Sequence, residues 1–484
     1  MMIAASDYEK EIILDIIKEY AADCNVLAFG SRYKWTNKEY SDLDLVFVKL
    51  DGGKLGTNRV YDIKEAFEES NLPFKVDVLD YHAVPEYFVK HIDAGNVMIY
   101  EGGGVATTTL SELCVGGGSY GIAASAVEKS DSLPTYLRIT DINDDGTINF
   151  DGLKSVDHKK SEKYMLEPND IVFARTGGST GRNYFYDGRD GEFVYAGFLI
   201  KFSIDATKCN PKFIKYYCQT QAYKEWVQSF NTGSTRGNIN AKTYAAMPIP
   251  NISREQQDLI VNTLSPLDDK IENNKKISQK LEEIAQAIFK SWFVDFEPWG
   301  GVMPDDWREA ALSEIATIIM GQSPAGSTYN EEGSGTVFYQ GRAEFGWRFP
   351  TQRLYTTDPK RMAEKNDIMM SVRAPVGDLN IATESCCIGR GLAAVRSKNQ
   401  CQSFLLYTMF ALKEVLDRFN GEGTVFGSIN KTDMANLLVL MPSLVVIQSF
   451  EEKVKKLDSK IKNNHLEICE LQELRDKILA ELLS

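Results

Sequence analysis

The chain has 484 residues, 43% hydrophobic, with 54 Lys and Arg against 68 Asp and Glu and a net charge of −14. That length holds about three domains with real cores, and the acid excess speaks against nucleic-acid binding by bulk charge, leaving a locally basic face or a basic partner. Eight scattered cysteines without a C-x-x-C pair, no run of 18 apolar residues and an N-terminus that turns acidic at once argue against a disulfide framework, a zinc site, a membrane span and a signal peptide, so the expected compartment is the cytoplasm.

The acidity is concentrated at the start: residues 1–105 carry 11 Lys and Arg against 19 Asp and Glu. Asp7 to Tyr20 reads as an amphipathic helix, and Val26 to Phe29 as a short strand ending in Gly30-Ser31. After a loop comes Ser41-Asp42-Leu43-Asp44-Leu45-Val46-Phe47-Val48. Residues i and i+2 of a strand face one side, so Asp42 and Asp44 point together while Leu43 and Leu45 enter a core. Two carboxylates held side by side repel unless a cation sits between them, and Mg2+ is the usual answer. A third, Asp77, lies on the next expected strand, Phe74 to Leu79. Gly30 allows close approach to a phosphate, to which the Ser31 hydroxyl and N–H can donate.

Gly30-Ser31, the ten-residue gap, Asp42-x-Asp44 and Asp77 together resemble the minimal nucleotidyltransferase domain of the polymerase-beta-type superfamily, over roughly residues 1–100. The resemblance implies Mg2+ on Asp42 and Asp44, Asp77 completing a catalytic triad, and an NTP cradled by Gly30 and Ser31. Such families often carry a second Gly five residues after the first; here Trp35 stands in its place. The same fold kept as a regulatory or docking module is the alternative. Gly102-Gly103-Gly104 then reads as a linker, since three glycines lose much backbone entropy on ordering.

The remainder is written twice. Thr109-Leu-Ser-Glu-Leu113 and Ala311-Leu-Ser-Glu-Ile315 each precede a glycine-bearing turn, Gly116-Gly117-Gly118 and Gly321. Asn169 to Arg175 parallels Asn366 to Arg373, and Gly233 to Asn240 parallels Gly423 to Asn430. Each copy ends in a proline-bearing apolar strand, Met247 to Pro250 and Leu440 to Pro442. Within the copies, Tyr136 to Ile142 reads as a strand with Asn143 to Gly146 as its turn, and Pro211 to Phe230 and Gln402 to Phe419 read as helices. A repeat this long means pseudo-symmetry and not a solenoid.

Each copy then enters a long helix. Ile260, Leu264, Leu267, Ile271, Leu281, Ala285 and Ile288 form a seam of period 3.5, with Asn274 and Ser278 as polar exceptions. Phe450, Val454, Leu457, Ile461, Asn464, Ile468, Leu471 and Ile478 repeat it 190 residues later. Antiparallel pairing brings Asn274 and Asn464 together near the centre. A buried Asn pair costs stability and fixes register.

This order of parts, with Tyr136 to Ile142, Leu166 to Gly177 and Phe289 to Phe296, resembles the specificity (S) subunit of type I restriction-modification systems over residues 106–484. The repeat and the resemblance together imply an α+β multidomain architecture. A small nucleotidyltransferase-like α/β domain (1–104) precedes two α/β target-recognition domains (105–252 and 298–443), separated by two long antiparallel coiled-coil helices (253–297 and 444–484) with pseudo-two-fold symmetry. The resemblance implies a chain that reads an asymmetric bipartite site in double-stranded DNA, the helices acting as spacer, and docks modification (M) and restriction (R) subunits, with no cofactor of its own in that region. The expected DNA contacts are Arg175, Arg182 and Arg236 in the first module and Arg342, Arg348, Arg373 and Arg390 in the second. Tyr120, Tyr339 and Trp347 are further candidates, with core or rim positions as the alternative. Residues 106–484 hold no P-loop motif, no N/D-P-P-Y/F motif for amino methylation and no nuclease cluster. The competing function is a Mg2+-dependent nucleotidyltransferase, or an antitoxin-like regulator, acting through residues 1–104 and targeted by the repeat.

Overall fold

The computed structural model describes residues 3–36, 38, 41–50, 52–102, 107–230, 237–421 and 427–483. Arg236, Gly103, Gly104 and the first half of each glycine-rich string, 233–236 and 423–426, lie outside them. Two compact units emerge, Met1–Thr263 with Leu479–Ser484, and Leu264–Ile478. Among the described residues no helix is long and apolar enough to cross a membrane.

The N-terminal domain is a four-stranded sheet under helices. Helix α1 (Asp7–Ala21) starts at a capping box in which Ser6 and Glu9 satisfy each other's backbone N–H. Strands β1 (Cys24–Phe29), β2 (Leu43–Lys49), β3 (Val76–Asp80) and β4 (Asn96–Tyr100) take the spatial order β3-β2-β1-β4. β2 and β3 run parallel; the other pairs are antiparallel. Ile13, Ile17, Val26, Leu43, Leu45, Phe47, Ile63 and Val78 fill the core, so the alternation expected of Leu43 to Leu45 places β2 as predicted.

Each repeated module is closed by pairing its first strand with its last: Thr107–Thr109 with Pro248–Pro250, and Arg308–Ala311 with Leu438–Met441. Inside the first, Asp170–Ala174 lies between Asn183–Tyr186 and Leu199–Ser203. Inside the second, Ile368–Ser371 lies between Leu379–Ile381 and Leu392–Ser397. Asn240 and Asn430 cap equivalent short helices through their side chains. The strand at Tyr136 is shorter than its sequence suggests, Thr135–Leu137, because the Asp141 carboxylate accepts from the Arg138 backbone and side chain and turns the chain. The helices expected over 211–230 and 402–419 are each broken in two, the first where Thr220 caps a new start.

One glycine that both modules require is Gly121 in the first and Gly321 in the second. A Cβ on either would collide with a carbonyl oxygen, of Ala196 and Gly389 respectively. Gly121 N–H donates to Leu199 and Gly321 N–H to Leu392, one equivalent position in the two modules. Gly321 therefore corresponds to Gly121 and not to the Gly116–Gly118 run that its sequence context suggests.

The long helices span Arg254–Phe293 and Leu444–Leu482, each about 60 Å at 1.5 Å per residue. They pair antiparallel: Asp268 meets Arg475, Lys270 meets Glu467, and Asn274 meets Asn464. Leu264, Ile271, Asn274, Ser278 and Ala285 are buried on one, and Phe450, Val454, Ile461, Asn464 and Ile468 on the other. Because the seams repeat at 190 residues, the local two-fold axis passes through the two asparagines. Their hydrogen bonds do not obey it. Asn274 Nδ2 donates to Glu467 Oε2 at 2.9 Å, whereas Asn464 Nδ2 donates to Ser278 Oγ at 3.1 Å. Asn464 Oδ1 is buried without a partner.

Candidate nucleic-acid interface and carboxylate site

In the second module, three of the four expected arginines converge. Arg342, Arg373 and Arg390 line one open cleft of about 380 Å3 with Ser323, Gln340, Glu344 and Arg353. Arg342 opens a short 3-10 turn, Arg342–Glu344, after an extended Gly341, and is held by the Asp378 carboxylate. Arg373 follows the central strand, and its backbone bridges to Ser428. Arg390 sits at the turn before Leu392–Ser397, its N–H donating to Ser323 Oγ at 3.2 Å. Arg342, Arg373 and Arg390 are all exposed, and among the described residues neither Arg373 nor Arg390 makes an ion pair. Sequence reasoning missed Ser323, Gln340 and Arg353. Arg353 is bound by Glu331 and Glu344, and no local motif marks it.

Arg348 is placed elsewhere, and the expectation for it is corrected. Its residue exposure is 3%, and its guanidinium reaches Glu282 on the first long helix and Asp458 on the second, with Tyr407 beside it. The neighbouring Phe349 stacks on His465 of the second helix at 4.6 Å. The segment therefore fastens the module to the helix pair, and a buried cation between two carboxylates has no face left for DNA. Burial alone pulls the His465 imidazole below its usual range. Tyr339 is also buried, while Trp347 is exposed.

In the first module Arg175 lies over the Tyr120 ring, 5.0 Å from its centre, and its Nε is buried without a partner. Tyr120 OH accepts from the Ala241 N–H. Arg182 is paired with Asp144 at 2.6 Å and donates to the Ile142 carbonyl. Arg236 lies outside the described residues. The backbone shows which positions correspond. Arg175 N–H donates to Phe198 as Val372 N–H does to Gly391, and Thr176 bridges Asn238 as Arg373 bridges Ser428. Arg373 is thus matched by Thr176, not Arg175, and Arg390 by Gly197. Gln322 and Ile122 make the same backbone bond, so Ser323 is matched by Ala123. One scaffold carries two different sets of polar groups.

In the N-terminal domain Asp44 stands opposite Asp77 on β3 and opposite Phe29 on β1. Gly30 follows Phe29 with φ +80°, and a Cβ there would collide with Asp44 Oδ2. Gly30 is thus required twice, by backbone conformation and by the carboxylate. Burial, then Asp77, then Asp42 raise the Asp44 carboxyl above the usual carboxylate range. Asp77 is 2.8 Å from the Lys75 ammonium. Ser31 accepts from Thr36 N–H through its carbonyl. Arg32, buried and overlooked in the sequence, donates to the Ser41 carbonyl at 2.7 Å and lies over Phe74, anchoring the residue next to Asp42. Trp35 takes a left-handed φ of 56° and is 66% exposed, so its ring is not packed over the carboxylates. Among the described residues no three His, Cys, Asp or Glu side chains converge to hold a metal unaided. Mg2+ rarely asks for that: one or two carboxylates plus substrate phosphates suffice. Asp42 and Asp44, with their mutual repulsion, fit that partial role.

Comparisons with known proteins follow the same division. Residues 11–102 match the polymerase beta nucleotidyltransferase family. A protein of Haemophilus influenzae named as a protein adenylyltransferase, MntA, is 40% identical over 94 residues, 19% of this chain and 80% of that one. A protein of Methanocaldococcus jannaschii assigned as the MjaX specificity subunit of a type I restriction enzyme is 30% identical, covering 70% of this chain and 84% of its own. The HindI specificity subunit of Haemophilus influenzae is 22% identical over 66% of this chain and 87% of its own. Among solved structures, a type I S subunit from M. genitalium aligns over 78% of this chain and 96% of its own, at 19% identity and a TM-score of 0.49. Residues 109–283 and 304–474 match the type I restriction modification DNA specificity domain, once per module with most of its long helix, and the chain belongs to that family.

Proposed function

We propose that this chain selects the DNA site of a type I restriction-modification system. Each module reads one half of an asymmetric bipartite duplex site, and M and R subunits dock on the assembly to modify or cut. The observation that carries this reading is the Arg342, Arg373 and Arg390 cleft, in which Arg373 and Arg390 stand where the first module has Thr176 and Gly197. Equivalent scaffolds with unlike polar groups suit two unlike half-sites, because sequence is read by hydrogen bonds at base edges and register by phosphate contacts. The test is the adenine methylome of the host with and without the gene. A gapped, non-palindromic motif that loses methylation in the deletion supports the reading, and an unchanged methylome defeats it.

A second reading concerns residues 1–102, and the packing of Gly30 against Asp44 favours it. Asp42 and Asp44 would hold Mg2+, which supplies charge neutralisation at the NTP phosphates. Gly30 lets the chain approach the triphosphate, and Ser31 donates to it. Asp77 lies beside Asp44 to take the proton from an attacking hydroxyl, with pyrophosphate leaving. The relative named as a protein adenylyltransferase makes AMP transfer to a protein hydroxyl the first case to try. Mg2+-dependent label transfer from ATP that disappears in Asp44→Asn supports it; absence of nucleotide binding leaves the domain a docking module.

A further inference from the structure

The three arginines of the second-module cleft are chemically unequal, and this inequality deepens the DNA-reading proposal, on which it rests. Arg342 is held by a carboxylate, while Arg373 and Arg390 have none among the described residues. The backbone that carries this carboxylate is itself fixed. Asp378 N–H donates to Ser371 Oγ at 2.9 Å, its carbonyl accepts from Ser371 N–H, and Ser371 Oγ donates to the Pro375 carbonyl. Ser371 is buried at the end of the central strand, so the backbone position from which Asp378 reaches Arg342 is set by the core. Lys413 adds a weaker contact to Asp378 at 3.8 Å.

A paired arginine and a free arginine do different things to DNA. The Arg342–Asp378 pair carries no net charge, so it displaces few counterions from the phosphate atmosphere. One Nη1 hydrogen is spent on Asp378, but the remaining guanidinium N–H groups stay directional, and a fixed guanidinium edge matches guanine O6 and N7. Preorganisation by a supporting carboxylate is what a recognition group requires. Arg373 and Arg390 keep their full charge and their rotamer freedom, which suits phosphates.

We infer that Arg342, oriented by Asp378, is the guanine-reading residue of the second module, and that Arg373 and Arg390 are its phosphate contacts. Asp378 is a positioning residue, since it acts through Arg342.

The experiment uses the full-length chain, a random duplex library to define preference, and the salt dependence of affinity on the selected duplex. Arg342→Lys keeps charge but cannot present two N–H groups in one plane. Guanine preference at one position falls about 5- to 150-fold in that variant, with the slope of log affinity against log salt unchanged. Arg373→Ala with Arg390→Ala weakens all sequences alike and flattens the slope by roughly 0.9 per lost phosphate contact, with the base preference retained. Asp378→Asn frees the Arg342 charge: discrimination at the same base weakens while the slope steepens or holds. The assignment is overturned if Arg342→Lys leaves the preference intact, or if the Arg373/Arg390 pair erases a base position instead of flattening the slope. A wild-type chain with no sequence preference overturns the DNA-reading proposal itself, and the two failures are therefore distinguishable.

Discussion

Replacing Arg348 with Met tests the clamp between the second module and the helix pair. Met keeps much of the length and none of the charge. Glu282 and Asp458 would then face each other without a cation, with side-chain exposures of only 14% and 16%. Removing one partner of a buried ion pair costs about 3–5 kcal/mol; the residual solvent access of both carboxylates points to the lower part, about 3–4 kcal/mol at neutral pH. The loss depends on pH with a definite sign. Burial already holds the Glu282 carboxyl above its ordinary value, against the pull of Arg348. A carboxyl whose folded pKa is raised binds more protons folded than unfolded, so stability falls as pH rises through that window. Without Arg348 the value rises further, and the deficit of Arg348→Met shrinks as pH drops from neutral towards the ordinary carboxylate range. Urea denaturation followed by tryptophan emission is a suitable assay, because Trp292, Trp299 and Trp307 pack edge to face in this unit. Adding Glu282→Gln and Asp458→Asn recovers most of the loss. A cost below about 1 kcal/mol, against the ~3 kcal/mol expected of a broken buried pair, or a deficit that grows on acidification, refutes the clamp.

Three more outcomes are expected. Asn274→Leu with Asn464→Leu raises the free energy of unfolding by about 1–3 kcal/mol for removing unsatisfied buried polar groups, and loosens register, seen as mixed products in cysteine cross-linking across the helices; lower stability with one register refutes this. Gly30→Ala destabilises the N-terminal domain by about 2 kcal/mol or more, from left-handed strain and the clash with Asp44, and removes any nucleotide-dependent rise in its melting temperature. Asp44→Asn flattens the pH dependence of the same domain: the raised Asp44 carboxyl makes the wild type lose stability as pH climbs above the ordinary carboxylate range, and the amide does not titrate. Mg2+ with ATP then stabilises the wild type and not the variant; equal response of both argues against a metal role for Asp44.

What sequence could convey depended on whether the deciding interactions were periodic or local. The helix seams were legible because burial repeats every three or four residues, and the polar exceptions at Asn274 and Asn464 stood out against that period. Leu43 to Leu45 was legible because strand alternation separates carboxylates from core. Arg348 was misplaced because a lone arginine in a glycine- and proline-bearing loop looks solvated; the two carboxylates that bury it lie 66 residues before and 110 residues after. The match of Arg373 to Arg175 failed for a related reason: the second module carries one extra residue in that string, and only the backbone bonds to Gly391 and Ile429 reveal the shift. Arg32 escaped notice because its work is done on carbonyls, which leave no mark in a side-chain pattern.

The uneven hydrogen bonds at the two asparagines show how far two repeated helices have diverged at one crossing. The acceptor used by Asn274 is Glu467, whose counterpart on the first helix is Ile277; the acceptor used by Asn464 is Ser278, whose counterpart on the second is Ile468. Each helix thus offers one acceptor beside one isoleucine, but of a different kind and one residue apart: a hydroxyl on the first, a carboxylate on the second. Two first helices in this register would set each asparagine against a serine, and two second helices each asparagine against a glutamate. The unlike pair brings a single carboxylate to the centre of the seam, where two like pairs would bring none or two.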